Sequence, residues 1–132
     1  MNILLWVLQV LLALAFLAHG WLLLSPPASI AAQMNASLPR WFQLFLGGVE
    51  VLGGVGVIVP AVTRIRPRLV SYAAAGIMII MIGATIFHLS RGELSSAIVT
   101  AVLLAMATFV ALMRWRLLPI VPRRVGARKT TA

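Results

Sequence analysis

The chain has 132 residues, 62% of them hydrophobic and 10% charged, with a mean hydropathy of +1.07. That composition excludes an ordinary water-soluble domain and marks a membrane protein. Eleven Lys and Arg face two acids, a net charge of +9, and there is no cysteine; disulfide exchange, thiolate catalysis and cysteine-ligated metal or iron-sulfur centres are therefore excluded within the chain.

A membrane span needs roughly 20 mostly apolar residues, and four windows of that length follow one another. The first covers about residues 3–24 and is closed by Ser25, Pro26 and Pro27. It is too long for the apolar core of a secretory signal and lacks a basic segment before it, so a retained span is expected. The connection that follows, SPPASIAAQMNASLPR, repeats Ile30, Met34 and Leu38 at helical spacing, which predicts a short interfacial helix over the mouth of the bundle. A second span is expected at about 41–62, with Ser37 as N-cap and Pro39 in its first turn. A third, opened by Pro67, covers about 69–89, and a fourth about 94–113. Between them, S-R-G-E at Ser90 to Glu93 has the form of a capping box. Short connections make sequential helices antiparallel neighbours. The expected fold is all-α: a single four-helix transmembrane bundle, up-down-up-down, over residues 1–118, with a basic tail at 119–132.

The cations orient this bundle. If both termini share a side, that side holds Arg64, Arg66, Arg68, Arg114, Arg116, Arg123, Arg124, Arg128 and Lys129, and the other holds only Arg40 and Arg91. The positive-inside rule then places both termini in the cytoplasm. The basic tail suits anionic lipid; with no base-stacking aromatics or recognition fold, nucleic acid is excluded as a partner. Ten arginines against one lysine, amid abundant Ala, Val, Leu and Gly, point to a GC-rich bacterial genome and so to the bacterial cytoplasmic membrane.

Orientation converts positions to depths. Glu50, nine residues beyond Trp41, lies about 13 Å below the outer face. His19 falls in the outer third of the first span, His88 near the outer end of the third, and Arg91 and Glu93 in the turn above it. A carboxylate in hydrocarbon costs several kcal/mol on insertion scales and normally faces a partner or a cavity. Gly47, Glu50 and Gly54 share one helical face, with Gly53 beside them, so small residues bring a neighbouring helix close to the acid. Gly76 and Gly83 are expected to form a second seam of helix contact. Glu50, His88, Arg91 and His19 are the candidate functional polar site, with His19, His88 or Arg91 expected in contact with Glu50. No metal site is assigned.

The G-x-x-E-x-x-G of Gly47, Glu50 and Gly53, the H-x-x-R-G-E of His88 to Glu93, and AHGW in the first span occur in an order that resembles the DoxX-like family of small four-helix membrane proteins. The resemblance runs from about Phe16 to Met113. Members commonly carry a lysine three residues after the first-span glycine, where this chain has Leu23. The family name comes from a subunit of a thiosulfate:quinone oxidoreductase, and related proteins associate with redox-stress partners or act as membrane chaperones. Fold-level analogy carries function poorly.

Two main functions fit. One is a non-enzymatic membrane subunit that binds a lipid or hydrophobic small molecule, or stabilises a partner, through a polar site in the outer half of the bundle. The other is a quinone-linked oxidoreductase subunit, with quinone as cofactor, a partner redox protein, and Glu50 or His88 taking up the proton. Proton-coupled transport ranks third, since inverted repeats and broken helices are not evident. The residues alone leave open whether the chain is an enzyme.

Overall fold

The computed structural model describes residues 2–123. Its elements are α1 (Asn2–Leu24), α2 (Ala28–Ser37), α3 (Arg40–Thr63), α4 (Leu69–Ser90) and α5 (Leu94–Leu112), the last running on into a π-helical turn at Met113–Leu117. Helices α1, α3, α4 and α5 with its turn are each long and apolar enough to cross a membrane. Their 22 to 24 residues extend about 33 to 36 Å, against roughly 30 Å of hydrocarbon.

The connection after α1 does hold a short helix, α2, which buries none of its residues. Prolines bound it on both sides. Pro27 precedes α2, and Pro39, with φ −58° and ψ 143°, is the N-cap of α3. Ser37 does not cap α3 as expected. It ends α2, and its hydroxyl donates to the Gln33 carbonyl at 3.2 Å. The reason is Pro39, whose ring forces the preceding residue out of the helical region; Leu38 accordingly sits at φ −140°, ψ 137°, and no helix can run through it.

Helix α1 packs chiefly on α3, and α4 on α5, the two pairs meeting mainly through α3 and α4. Glycine sets the first contact. A methyl group added to Gly47 would stand 2.8 Å from the Gly20 carbonyl oxygen, and one added to Gly20 would stand 2.9 Å from that of Gly47. Gly54 fits against Ala13 and Leu17, and Gln9 bonds to Val57. Contact positions thus fall along α1 as they rise along α3. Gly53 against Ile77 and Gly56 against Ala73 repeat the pattern between α3 and α4. Gly76 and Gly83, expected as a packing seam, have no atom within 4 Å of an added methyl group. Both are exposed, so α4 presents other residues, Ala74 and Ile77 among them, to its neighbours.

The apolar core lies toward the end of the bundle opposite α2, where Leu5, Leu12, Val57, Val70, Ala74, Ile77 and Val110 are essentially inaccessible. Beyond the π-helical turn, Leu118 and Ile120 pack on this core and the Arg123 amide donates to the Arg64 carbonyl. Arg124, Arg128 and Lys129 of the expected basic tail lie outside the described residues.

Candidate functional site: a buried carboxylate beside a lidded cavity

Glu50 stands between the two glycine contacts of α3, three residues after Gly47 and four before Gly54. Close approach of α1 at both points brings the carboxylate to His19, the neighbour of Gly20. The His19 ring nitrogen Nδ1 lies 2.6 Å from Glu50 Oε2, and Glu50 is only 2% exposed. With Nδ1–H donated to the carboxylate, Nε2 is left as the free ring nitrogen. No donor among the described residues reaches Glu50 Oε1.

A second histidine and carboxylate meet nearby. Helix α4 ends in a Schellman turn: the Glu93 amide donates to the His88 carbonyl at 2.9 Å and the Gly92 amide to Leu89 at 3.1 Å, with Gly92 at φ +71°. Glycine is favoured there because a side chain strains that left-handed conformation. The turn folds Glu93 back over the helix end, where its Oε2 lies 2.6 Å from His88 Nδ1 and its Oε1 accepts from Arg91 Nε at 2.8 Å. Arg91, then His88, hold the Glu93 carboxyl below the usual carboxylate range. Arg91 also lies 5.3 Å from the centre of the Phe87 ring and reaches Ser37 of α2 at 3.5 Å.

Of the three residues expected beside Glu50, only His19 bonds to it. His88 and Arg91 are spent on Glu93 instead, because the glycine turn delivers that acid to them first. The capping box does not form either: Ser90 donates to the Phe87 carbonyl, and α5 begins without a side-chain cap.

All five of these side chains line one cavity of about 1100 Å³. Its floor and walls are largely apolar, with Phe16 from α1, Leu46 from α3, Ile80 and Met81 from α4 and Leu103 from α5. Helix α2 lies across its mouth, contributing Gln33, Met34 and Ser37. The lid is tied down by polar side chains: Gln43 Nε2 donates to Asn35 Oδ1 at 3.0 Å and to the Leu38 carbonyl at 2.8 Å. Arg40 in turn donates to Gln43 Oε1 and to the carbonyls of Leu23 and Leu24, closing the end of α1.

A polar cluster at the other end of the bundle escaped the sequence reading. Arg114, 6% exposed, donates through Nε to Gln9 Oε1 at 2.7 Å and through Nη1 to Asn2 Oδ1 at 2.9 Å. Gln9 Nε2 passes the link to the Val57 carbonyl at 2.8 Å. The guanidinium lies over the Trp6 ring, and its Nη2 has no hydrogen-bond partner. Amides inside an apolar run carry no charge to draw attention, and Arg114 is separated from Gln9 by 105 residues.

The DoxX-like family matches over residues 7–110. The chain belongs to that family. The match takes in the whole cavity, with His19, Glu50, His88, Arg91 and Glu93, and stops short of Asn2 and Arg114. No curated protein and no solved structure matches the chain.

Proposed function

We propose that this DoxX-like protein is a non-enzymatic membrane subunit that holds a lipid or other small amphipathic molecule in the cavity beneath α2. The observation that carries the reading is Glu50, a carboxylate almost wholly removed from solvent yet forming part of the wall of a cavity that is otherwise largely apolar. A volume of about 1100 Å³ is at the upper end for ligand pockets and accommodates a headgroup at His19 and Glu50 with an apolar body between α1, α4 and α5. The excess of cations at the opposite end supports a topology with both termini in the cytoplasm; in that reading the cavity lies in the outer half of a bacterial cytoplasmic membrane and α2 at its outer interface.

Native mass spectrometry of the protein released from membranes in lipid particles tests this. A bound molecule of defined mass is expected with wild type and lost in Ala84→Trp, which fills the cavity wall without touching Glu50. A spectrum without any such molecule, or one unchanged in the variant, contradicts the proposal.

The quinone-linked reading draws on a different observation, the two histidines each bonded through Nδ1 to a carboxylate on one cavity. Such pairs can pass a proton to or from a bound headgroup. Electrons would come from a substrate or partner redox protein. Reduction of an added quinone on mixing with thiosulfate supports this second reading, and its absence leaves the binding role.

A further inference from the structure

We infer that the cavity is filled from the bilayer and not from water: its ligand is a membrane-resident lipid that enters sideways through a slot between α3 and α4, with Gly83 at the threshold. The inference rests on reading the cavity as an amphiphile site. In the half of the bundle away from α2 the two helices are pinned together. A methyl group added to Gly56 would stand 2.7 Å from Ala73 Cβ, and one added to Gly53 would stand 3.1 Å from Ile77 Cγ1; small residues let helix backbones close up in this way inside a membrane. Continued at the same register, the pair brings Phe45 and Leu46 level with Gly83 and Ala84, and there the closeness ends. Gly83 lies about 9 Å along α4 beyond Ile77, and a methyl group added to it meets no atom within 4 Å.

Exposure carries the gap through to the bilayer. Phe45 and Ile79 are 60% and 73% exposed and Gly83 is exposed as well, yet all three line the cavity. Residues turned this far toward the surrounding lipid line an internal cavity only where it opens between them. The route to water is shut by comparison. Helix α2 crosses the mouth, and its Asn35 and the following Leu38 carbonyl accept from Gln43, which is wholly buried. Passage beneath the lid breaks those bonds, whereas the slot is bordered by Phe45, Leu46, Ile79, Gly83 and Ala84, whose side chains have no hydrogen bonds to lose. An apolar chain moving through it stays in hydrocarbon throughout, so none of its surface is returned to water. The slot also accounts for a glycine that packs against no helix.

Fluorine NMR of a dodecanol tipped with a trifluoromethyl group, with the protein in phosphatidylcholine nanodiscs, tests this. Saturation transfer between the bilayer and bound signals gives the exchange rate, and the signal areas give the bound fraction. Gly83→Trp is expected to slow exchange roughly tenfold and keep the bound fraction within about twofold of wild type, since an obstacle on the path alters entry and exit alike. Gly83→Val should fall between. Gly76→Trp makes the same change one heptad earlier on α4, at a glycine that is equally open but outside the cavity lining, and Asn35→Ala loosens the lid; both are expected to leave the rate unchanged. Exchange unaltered in Gly83→Trp, slowed equally in Gly76→Trp or hastened by Asn35→Ala overturns lateral entry while sparing the amphiphile site. A bound fraction that falls along with the rate places residue 83 in the binding wall and overturns it too. If wild type shows no bound signal beyond that of empty nanodiscs, the amphiphile site fails and lateral entry with it.

Discussion

His19 and Glu50 meet across the α1–α3 contact with 2.6 Å between Nδ1 and Oε2, beside the point where Gly20 and Gly47 let the two backbones touch. Removing the imidazole strands a buried carboxylate, and an unsatisfied buried polar group costs about 1–3 kcal/mol, more when charged. His19→Ala is therefore expected to destabilise the protein by at least that amount, and adding Glu50→Gln to recover part of the loss. A double-mutant cycle by thermal unfolding in detergent checks it; additive effects of the two substitutions would count against the pair.

The glycines divide into two groups with opposite expected behaviour. Gly20→Ala and Gly47→Ala place a methyl group within 3 Å of opposing backbone oxygen and should cost about 1–3 kcal/mol through overpacking. Gly76→Ala and Gly83→Ala meet nothing and should be neutral or stabilising by up to about 1 kcal/mol through helix propensity. Unfolding midpoints of the four variants in one detergent make the comparison.

Arg114 is held by amide oxygens without a carboxylate partner among the described residues, and part of its guanidinium is unsatisfied. Arg114→Met alone leaves Gln9 Oε1 bare in the core and is expected to destabilise by about 1–3 kcal/mol. Arg114→Met with Gln9→Leu removes both ends of the bond and should be closer to wild type, as when both members of a buried polar pair are replaced. Unfolding curves for the single and double variants decide it.

The Schellman turn between α4 and α5 predicts a pH response. Arg91 and His88 lower the folded-state pKa of Glu93 below that of a free glutamate, about 4.3. The stabilisation is then fully present above the free value and lost as pH falls through the depressed one. Carbon NMR of the Glu93 carboxyl should show a midpoint below that of free glutamate, returning upward in Arg91→Ala. A midpoint unchanged by that substitution would contradict the ion pair.

Much of the fold was legible because hydrocarbon demands long uninterrupted apolar runs, and those mark the helix ends to within a residue or two for α1, α3, α4 and α5. The α2 helix followed from the spacing of Ile30, Met34 and Leu38. Glu50 stood out because charge is expensive in a membrane, and the glycines around it located its tight contact. The pairing of His88 and Arg91 with Glu93 was not legible, since it depends on a left-handed Gly92 that turns the chain back within five residues. Gln9, Gln43, Asn2 and Arg40 were missed for another reason: neutral amides and a boundary arginine look unremarkable until distant helices bring their partners. Gly76 and Gly83 show the converse, small residues whose facing space is empty.

The central claim, that an amphipathic molecule lies in the cavity with its headgroup at Glu50, is tested most directly by photo-crosslinking. A single-chain amphiphile with a hydroxyl headgroup and a diazirine near the chain end is bound in nanodiscs, illuminated, and its attachment sites are read by peptide mass spectrometry. Labels on cavity residues such as Phe16, Ile80 and Leu103, removed by Ala84→Trp, are the predicted result. Labels confined to outward-facing Leu52 and Ile86, which are 71% and 63% exposed, would contradict it.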